Sequence, residues 1–166
     1  MAKNLEIKLS LDSHEDVKAI LIENKCKRSG VLNQKDTYYE WKKGLLKLRS
    51  VNGVYEFIKY NRDESGADRW SDYTILNISD ETAETFFKEV LEVETIVMKK
   101  RELYLYKNTR IHLDEVDKLG YFLELETVVT GNLDEAKQEF GEVMNLLKLD
   151  KSQQILASYR NLMLAE

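Results

Sequence analysis

The chain contains no proline, a single cysteine and only two histidines among its 166 residues. Without proline it has no stiff polyproline-type linker. Its short polar connections mark no domain boundary, and its length supports one sizeable core without demanding a second, so residues 1–166 are expected to form one domain. Cys26 stands alone, which excludes an internal disulfide and any multi-cysteine zinc site. It reads as a small buried or half-exposed thiol rather than a nucleophile, because His14 and His112 offer it no recognisable partner spacing. No apolar run reaches membrane-spanning length, and Lys3, Glu6 and Lys8 interrupt the start of the chain. No secretory signal is therefore read here, and a cytoplasmic protein is expected. An excess of positive charge is also missing. A net charge of −5 argues against polymeric nucleic acid or a membrane surface as partner, since such binders spread a broad positive field.

What the chain does have is alternation. From Asn4 to Leu11, the residues Leu5, Ile7, Leu9 and Leu11 fall on one face and Asn4, Glu6, Lys8 and Ser10 on the other, which predicts a strand. Ser13 followed by Asp16 resembles a capping box and opens a helix carrying Val17, Ile20 and Leu21 to about Asn24. Short β-rich runs then cover 36–39, 45–51, 54–62 and 69–76. Lys43-Gly44 and Asn52-Gly53 mark reversals between them, the second being the stronger hairpin signal because both residues tolerate positive φ. Ser79 or Asp80 caps a second helix with Ala83, Phe86, Phe87, Val90 and Leu91 at helical spacing. Strands follow from Thr95 towards Tyr106, from Thr109 to Asp114 and from Tyr121 to Val129. A helix then starts at Asn132 with Ala136, Phe140, Val143, Met144 and Leu147 on its apolar side, and a last amphipathic piece spans 155–164. The pattern is that of one α+β unit.

Charges within these strands are sorted by sign. Glu6 lies on the first strand, and Glu124 and Glu126 share a face of the 121–129 strand. Lys47 and Arg49 share a face of another strand, Lys59 comes from its hairpin partner, Lys99 and Arg101 share a third, and Arg110, His112 and Asp114 alternate on a fourth. An open sheet with one wet face accounts for any single strand. A closed barrel of about eight strands with a polar interior accounts for the sorting across all of them. Such a lumen would hold a polyanion against its Lys/Arg wall, while opposite carboxylates hold a hard divalent cation such as Mg²⁺ or Mn²⁺.

Several segments, in order, resemble one known family. Asn4-Leu5-Glu6-Ile7-Lys8 is similar to the Glu-x-Glu-x-Lys signature of the CYTH superfamily, the triphosphate tunnel metalloenzymes. Gln34-Lys35-Asp36-Thr37-Tyr38-Tyr39, Leu46-Lys47-Leu48-Arg49, Glu56-Phe57-Ile58-Lys59, Lys99-Lys100-Arg101 and Ile111-His112-Leu113-Asp114 follow in the family's order. Gly120-Tyr121-Phe122-Leu123-Glu124-Leu125-Glu126 and Ser158-Tyr159-Arg160-Asn161-Leu162 complete it, the last resembling the branch that contains class IV adenylyl cyclases. The resemblance implies a closed eight-stranded antiparallel β-barrel, a tunnel with a charged lumen and helices packed outside. It implies that Lys8, Lys47, Arg49, Lys59, Lys99, Arg101 and Arg110 hold a triphosphate, and that Glu6, Asp114, Glu124 and Glu126 bind Mg²⁺ or Mn²⁺. Glu6, Lys8 and Glu124 are the implied catalytic residues.

The implied activity is conversion of ATP to cyclic AMP and pyrophosphate. Hydrolysis of an organic triphosphate or of inorganic tripolyphosphate is the rival in the same tunnel. Asn4 stands where the first signature glutamate is expected, and its neutral amide is a weaker metal ligand than a carboxylate, so a nucleotide- or polyphosphate-binding module without turnover is a further alternative. Tyr38, Tyr39, Trp41, Tyr55 and Phe57 are candidates to stack on an organic ring, with core packing as the plainer explanation. His112 is a candidate proton shuttle or a hydrogen-bonded structural histidine. Trp70 and the stretch 63–72 read as a lid at the tunnel mouth or as a plain surface loop, and Lys148 to Lys151 as a solvated helix end. A homodimer is consistent with the resemblance, although no exposed apolar stripe in the sequence identifies an interface.

Overall fold

The computed structural model describes residues 2–62 and 69–166. The elements run β1 (Ala2–Leu11), α1 (Glu15–Glu23), β2 (Lys27–Tyr39), β3 (Leu45–Val51), β4 (Val54–Arg62), β5 (Arg69–Ile78), α2 (Ala83–Val90), β6 (Val93–Tyr106), β7 (Thr109–Val116), β8 (Gly120–Val128), α3 (Leu133–Leu146) and α4 (Tyr159–Leu164), with a 3-10 turn at Lys151–Gln153 before α4. The strands close into a barrel in the order β1-β5-β4-β3-β2-β6-β7-β8, every neighbouring pair antiparallel. Closure removes the exposed edges that an open sheet of this length would present. The β3–β4 hairpin turns on Asn52 and Gly53 at φ 50° and 79°, the two successive positive values that a tight type I′ reversal requires.

The apolar residues of the alternating strands point outward. Leu5, Ile7 and Leu9 of β1, Ile111 and Leu113 of β7, and Leu123 and Leu125 of β8 form one buried cluster with Val17 and Leu21 of α1 and Phe140, Val143, Met144 and Leu147 of α3. The main core therefore lies between the barrel wall and its helices. Strand alternation then commits the intervening residues, largely polar or charged, to the lumen. On another side α2 covers the wall: Phe87 stacks on Phe57 at 4.3 Å between ring centroids, and Tyr39 meets Phe57 at 6.2 Å.

The C-terminal segment packs against one end of the barrel. Gln154 bridges to Leu9, and the Ile155 N–H donates to the Lys8 carbonyl at 2.8 Å. Tyr159 then enters a cluster with Tyr38, Val97, Val116 and Phe122. Arg160 pairs with Glu94 of β6 through both its Nε and its Nη2. Ser158 caps α4, its Oγ accepting from the Asn161 N–H at 3.1 Å.

Some boundaries differ from the sequence expectation. β2 begins at Lys27, well before Asp36; the segment 27–33 lacks apolar alternation, and long-range pairing to the 14-residue β6 makes it a strand despite a register shift between Arg28 and Gly30. The amphipathic piece 155–164 is helical only from Tyr159. Helix α1 starts after His14 without a side-chain cap, and α2 starts at Ala83, with Asp80 accepting from the Thr82 N–H at 2.8 Å. The expected connection 63–68 lies outside the described residues. Of the proposed lid, Trp70 belongs to β5, where its backbone pairs with Leu5.

Candidate functional site

Inside the barrel is a cavity of about 270 Å³ to which all eight strands and the C-terminal residues Ser158 and Tyr159 contribute. Its charges are divided around the ring. Glu6 of β1 sits opposite Glu126 of β8 in the strand pairing, with Glu124 next along β8 opposite Lys8. Across the barrel, Lys47 and Arg49 of β3 and Lys99 and Arg101 of β6 flank β2. The intervening wall, β4 and β5, presents Glu56, Ile58, Tyr60, Tyr73 and Ile75. The third sector adds two isoleucines and two tyrosines to the lining beside the charged sectors.

The basic sector is organised by Asp36 of β2, which is 1% exposed. Lys47 Nζ donates to it at 2.9 Å, Arg49 donates from Nε at 2.8 Å and from Nη2 at 2.9 Å, and Lys99 Nζ lies 3.8 Å away. Burial alone would raise the Asp36 carboxyl, but Arg49, Lys47 and Lys99 hold it well below the usual carboxylate range. The lysines move the other way. Burial and then Arg49 bring Lys47 down to about 8, and burial and then Arg101 bring Lys99 down to about 7. One carboxylate is too little negative charge for the cations crowded around it.

Arg101 is fixed from two strands. Its Nε and Nη2 donate to the two Asp114 oxygens, each at 2.6 Å, and Nη2 also reaches Glu124 Oε2 at 2.8 Å. Tyr159 OH donates to Asp114 Oδ2 at 2.7 Å. Lys8 Nζ donates to the Ala157 carbonyl at 3.1 Å, lies 3.4 Å from Glu124 Oε1 and sits 4.1 Å from the centre of the Tyr159 ring. Lys99 Nζ approaches the same ring at 4.9 Å. The C-terminal helix thus contributes directly to the basic lining.

Of the residues singled out in the sequence, Glu6, Lys8, Lys47, Arg49, Lys99, Arg101, Arg110, Glu124 and Glu126 all line the cavity. Two of the expected residues stand apart from this lining. Lys59 is exposed on the outside of the barrel: its cross-strand partner is Leu46, while Lys47 is opposite Ile58, so Glu56, Ile58 and Tyr60 are the inward residues of β4. Asp114 is fully buried, with both oxygens engaged by Arg101 and one also by Tyr159, so its carboxylate braces the basic wall from behind. Among the aromatic candidates only Tyr38 reaches the cavity, joined by Tyr60, Tyr73 and Tyr159; Tyr39 and Phe57 pack outside with Phe87. Lys148 and Lys151 are exposed, and burial raises the Cys26 thiol. Asp36 was missed as a site residue although Gln34, Asp36 and Tyr38 share one strand face, because an acid on a basic wall runs against sorting by sign.

Three side chains on the acidic side bring metal-ligating atoms together. Ligand atoms of His112, Glu124 and Glu126 lie within 4.8 Å of one another. His112 Nδ1 and Asn4 Oδ1, both buried, have no hydrogen-bond partner among the described residues. Burial and then Arg101 bring His112 down to about 4, so the ring is uncharged at neutral pH and keeps a lone pair. Glu124 and Glu126 are also paired to Arg101 at 2.8 Å and to Arg110 at 2.9 Å, so a bound metal would share them with those arginines. The donor set present fits a divalent cation.

The lowered Lys99 predicts proton uptake on anion binding. A polyanion against the ammonium favours its charged form, so the bound-state value rises above about 7. Affinity for tripolyphosphate should then fall as pH climbs from about 7 towards 9, and calorimetry in buffers of different ionisation enthalpy should register proton uptake near pH 7.5. Binding without proton exchange there would contradict the placement of Lys99 at the ligand.

Residues 2–159 match the family model described as the CYTH domain. Among solved structures, the PH1012 protein of Pyrococcus horikoshii OT3 is 25% identical with a TM-score of 0.84, covering 95% of this chain and 98% of that one. A candidate adenylate cyclase from Vibrio parahaemolyticus is 18% identical with a TM-score of 0.78, covering 96% and 97%. HpAC1 of Hippeastrum, a candidate adenylyl cyclase reported with a dominant triphosphatase activity, is 11% identical with a TM-score of 0.64, covering 90% and 89%. The latter two likenesses speak for the fold alone. No curated protein matches the sequence.

Proposed function

The chain belongs to the CYTH domain family, and from that premise we propose that it is a metal-dependent enzyme acting on a triphosphate held in the barrel, with cyclisation of ATP to cyclic AMP and pyrophosphate as its reaction. The observation that carries this reading is the convergence of Lys8, Lys47, Arg49, Lys99, Arg101 and Arg110 with Glu6, Glu124 and Glu126 on one cavity. The cations bind and straighten the triphosphate and stabilise the charge that gathers on the departing pyrophosphate. The 3′ oxygen of the ribose forms a bond to the α-phosphorus, the bond to the bridging oxygen breaks, and the proton passes to a carboxylate of the acidic wall, Glu6 or Glu124. Ile58, Tyr60, Tyr73 and Ile75 supply the apolar side on which base and sugar rest. A divalent cation held by Glu6, Glu124, Glu126 and His112 would supply Lewis-acid polarisation of phosphate oxygens when bound.

Hydrolysis of the terminal phosphate is a second reading, favoured by the size of the cavity. About 270 Å³ lies just below the ordinary range of small-molecule pockets, about 300–1,000 Å³, enough to enclose the triphosphate while leaving an organic group near the mouth.

Purified protein given ATP, tripolyphosphate or thiamine triphosphate with Mg²⁺ or Mn²⁺ tests both. Cyclic AMP supports cyclisation, and phosphate alone supports hydrolysis. Binding without either product leaves a polyphosphate-binding module, and absence of binding overturns the tunnel reading. The wall geometry adds a contrast within this assay. Lys47→Ala is expected to weaken triphosphate binding roughly tenfold or more, the loss of about 1.5–3 kcal/mol for a hydrogen bond from a charged group. Lys59→Ala, on the outer face, is expected to bind as the unaltered protein does.

A further inference from the structure

Resting on the metal-dependent reading above, we propose that His112 is a direct nitrogen ligand of the divalent cation and makes this site prefer Mn²⁺ or Co²⁺ over Mg²⁺. His112 is 5% exposed, lines the cavity and offers a ring nitrogen within 4.8 Å of carboxylate oxygens of both Glu124 and Glu126. Its Nδ1 is buried with no hydrogen-bond partner among the described residues. A buried nitrogen left in that state is unfavourable, and a coordinate bond, or a hydrogen bond that fixes the ring while the other nitrogen binds the metal, removes the penalty.

Asn4 sets the direction of the preference. It lies two residues before Glu6 on the same inward face of β1, is 3% exposed, and brings an unpartnered amide oxygen where a carboxylate would add a charge. A hard ion such as Mg²⁺ depends on oxygen donors, carboxylates above all, so a neutral amide weakens its hold. An imidazole nitrogen suits transition metals better than Mg²⁺. With Arg101 and Arg110 already engaging Glu124 and Glu126, the carboxylates have less negative charge to offer, and the nitrogen donor counts for more. The two departures from an all-carboxylate site act in one direction, against Mg²⁺ and towards the transition metals.

The test uses the full chain without triphosphate. Mn²⁺ binding is followed by electron paramagnetic resonance, with Mg²⁺ and Co²⁺ affinities obtained by competition. Electron spin-echo envelope modulation of the Mn²⁺ protein is expected to contain coupling to a directly bound ¹⁴N, and Mn²⁺ is expected to bind about tenfold or more tightly than Mg²⁺. In His112→Gln the nitrogen coupling should vanish and Mn²⁺ affinity should fall roughly tenfold or more, while Mg²⁺ affinity changes less. Mn²⁺ bound through oxygen alone, no divalent binding, or an unchanged metal preference in His112→Gln overturns the proposal. If that variant does not fold, the spin-echo spectrum of the unaltered protein decides the matter by itself. Tripolyphosphate binding in EDTA is measured alongside: if it persists while the nitrogen coupling is absent, the ligand assignment falls and the tunnel reading stands. If tripolyphosphate fails to bind with or without metal, the tunnel reading falls, and the spectrum still decides the role of His112.

Discussion

Asp36→Asn is expected to lower the stability of the empty protein by about 3–5 kcal/mol, because removing one partner of a buried ion pair leaves its cations uncompensated. In a chain of this size that is a fall in melting temperature on the order of 10 °C. Lys47, Arg49 and Lys99 all converge on this carboxylate. The same substitution should strengthen polyanion binding, since Asp36 occupies the hydrogen-bond donors that phosphate oxygens would use. Tripolyphosphate should therefore restore the variant more than it stabilises the unaltered protein, where a ligand at a hundred times its Kd contributes about 2.7 kcal/mol. Equal thermal shifts in the two proteins would mean that Asp36 does not compete with the ligand. The pH dependence has a definite sign. Burial and the neighbouring arginines hold Lys47 and Lys99 down to about 8 and about 7, below the unfolded lysine value of about 10.4. Between those values the unfolded chain binds more protons, so stability rises with pH. Asp36→Asn should depress both lysines further and extend that rise to lower pH.

The second large effect is expected at Arg101. Replacing it with methionine keeps an unbranched stem but removes the fork that grips Asp114 at 2.6 Å on both oxygens and reaches Glu124 at 2.8 Å. Triphosphate affinity should fall by about 30-fold or more, in line with about 2–5 kcal/mol for truncating a buried, hydrogen-bonded charge. Arg101→Lys should recover little of it, since one ammonium cannot reproduce two parallel donors. Isothermal titration with tripolyphosphate, with circular dichroism to confirm folding, measures the effect. Affinity recovered by lysine to within about threefold would show that Arg101 acts as a point charge and that the fork geometry is incidental.

Most of the barrel was legible because strict alternation, as in Leu5 to Leu11, fixes which residues share a face. The charged face was legible because its signs differ from strand to strand. What escaped depended on register. Lys59 looks like a partner of Lys47 in a hairpin, yet pairing fixed by the Asn52-Gly53 turn sets Lys47 opposite Ile58, and a one-residue difference reverses the face. Asp36 and Asp114 were visible as acids, but it is long-range strand pairing that makes each an internal counter-charge gripped by arginine. The early part of β2 was unreadable because its strand character comes from β6, far along the chain, rather than from its own residues.

The placement of the main apolar cluster between barrel and helices separates two kinds of change. Substitutions at Leu21, Val143 or Leu123 act on whether the chain folds, whereas many inward positions can exchange one charge for another without disturbing that cluster. A selection experiment that randomises Glu56, Ile58, Tyr73 and Ile75 should therefore retain many folded members and reach anions of other shapes. Asp36 marks the boundary of that freedom: behind the basic wall, buried at 1% exposure, the guest's chemistry and the host's integrity are the same question.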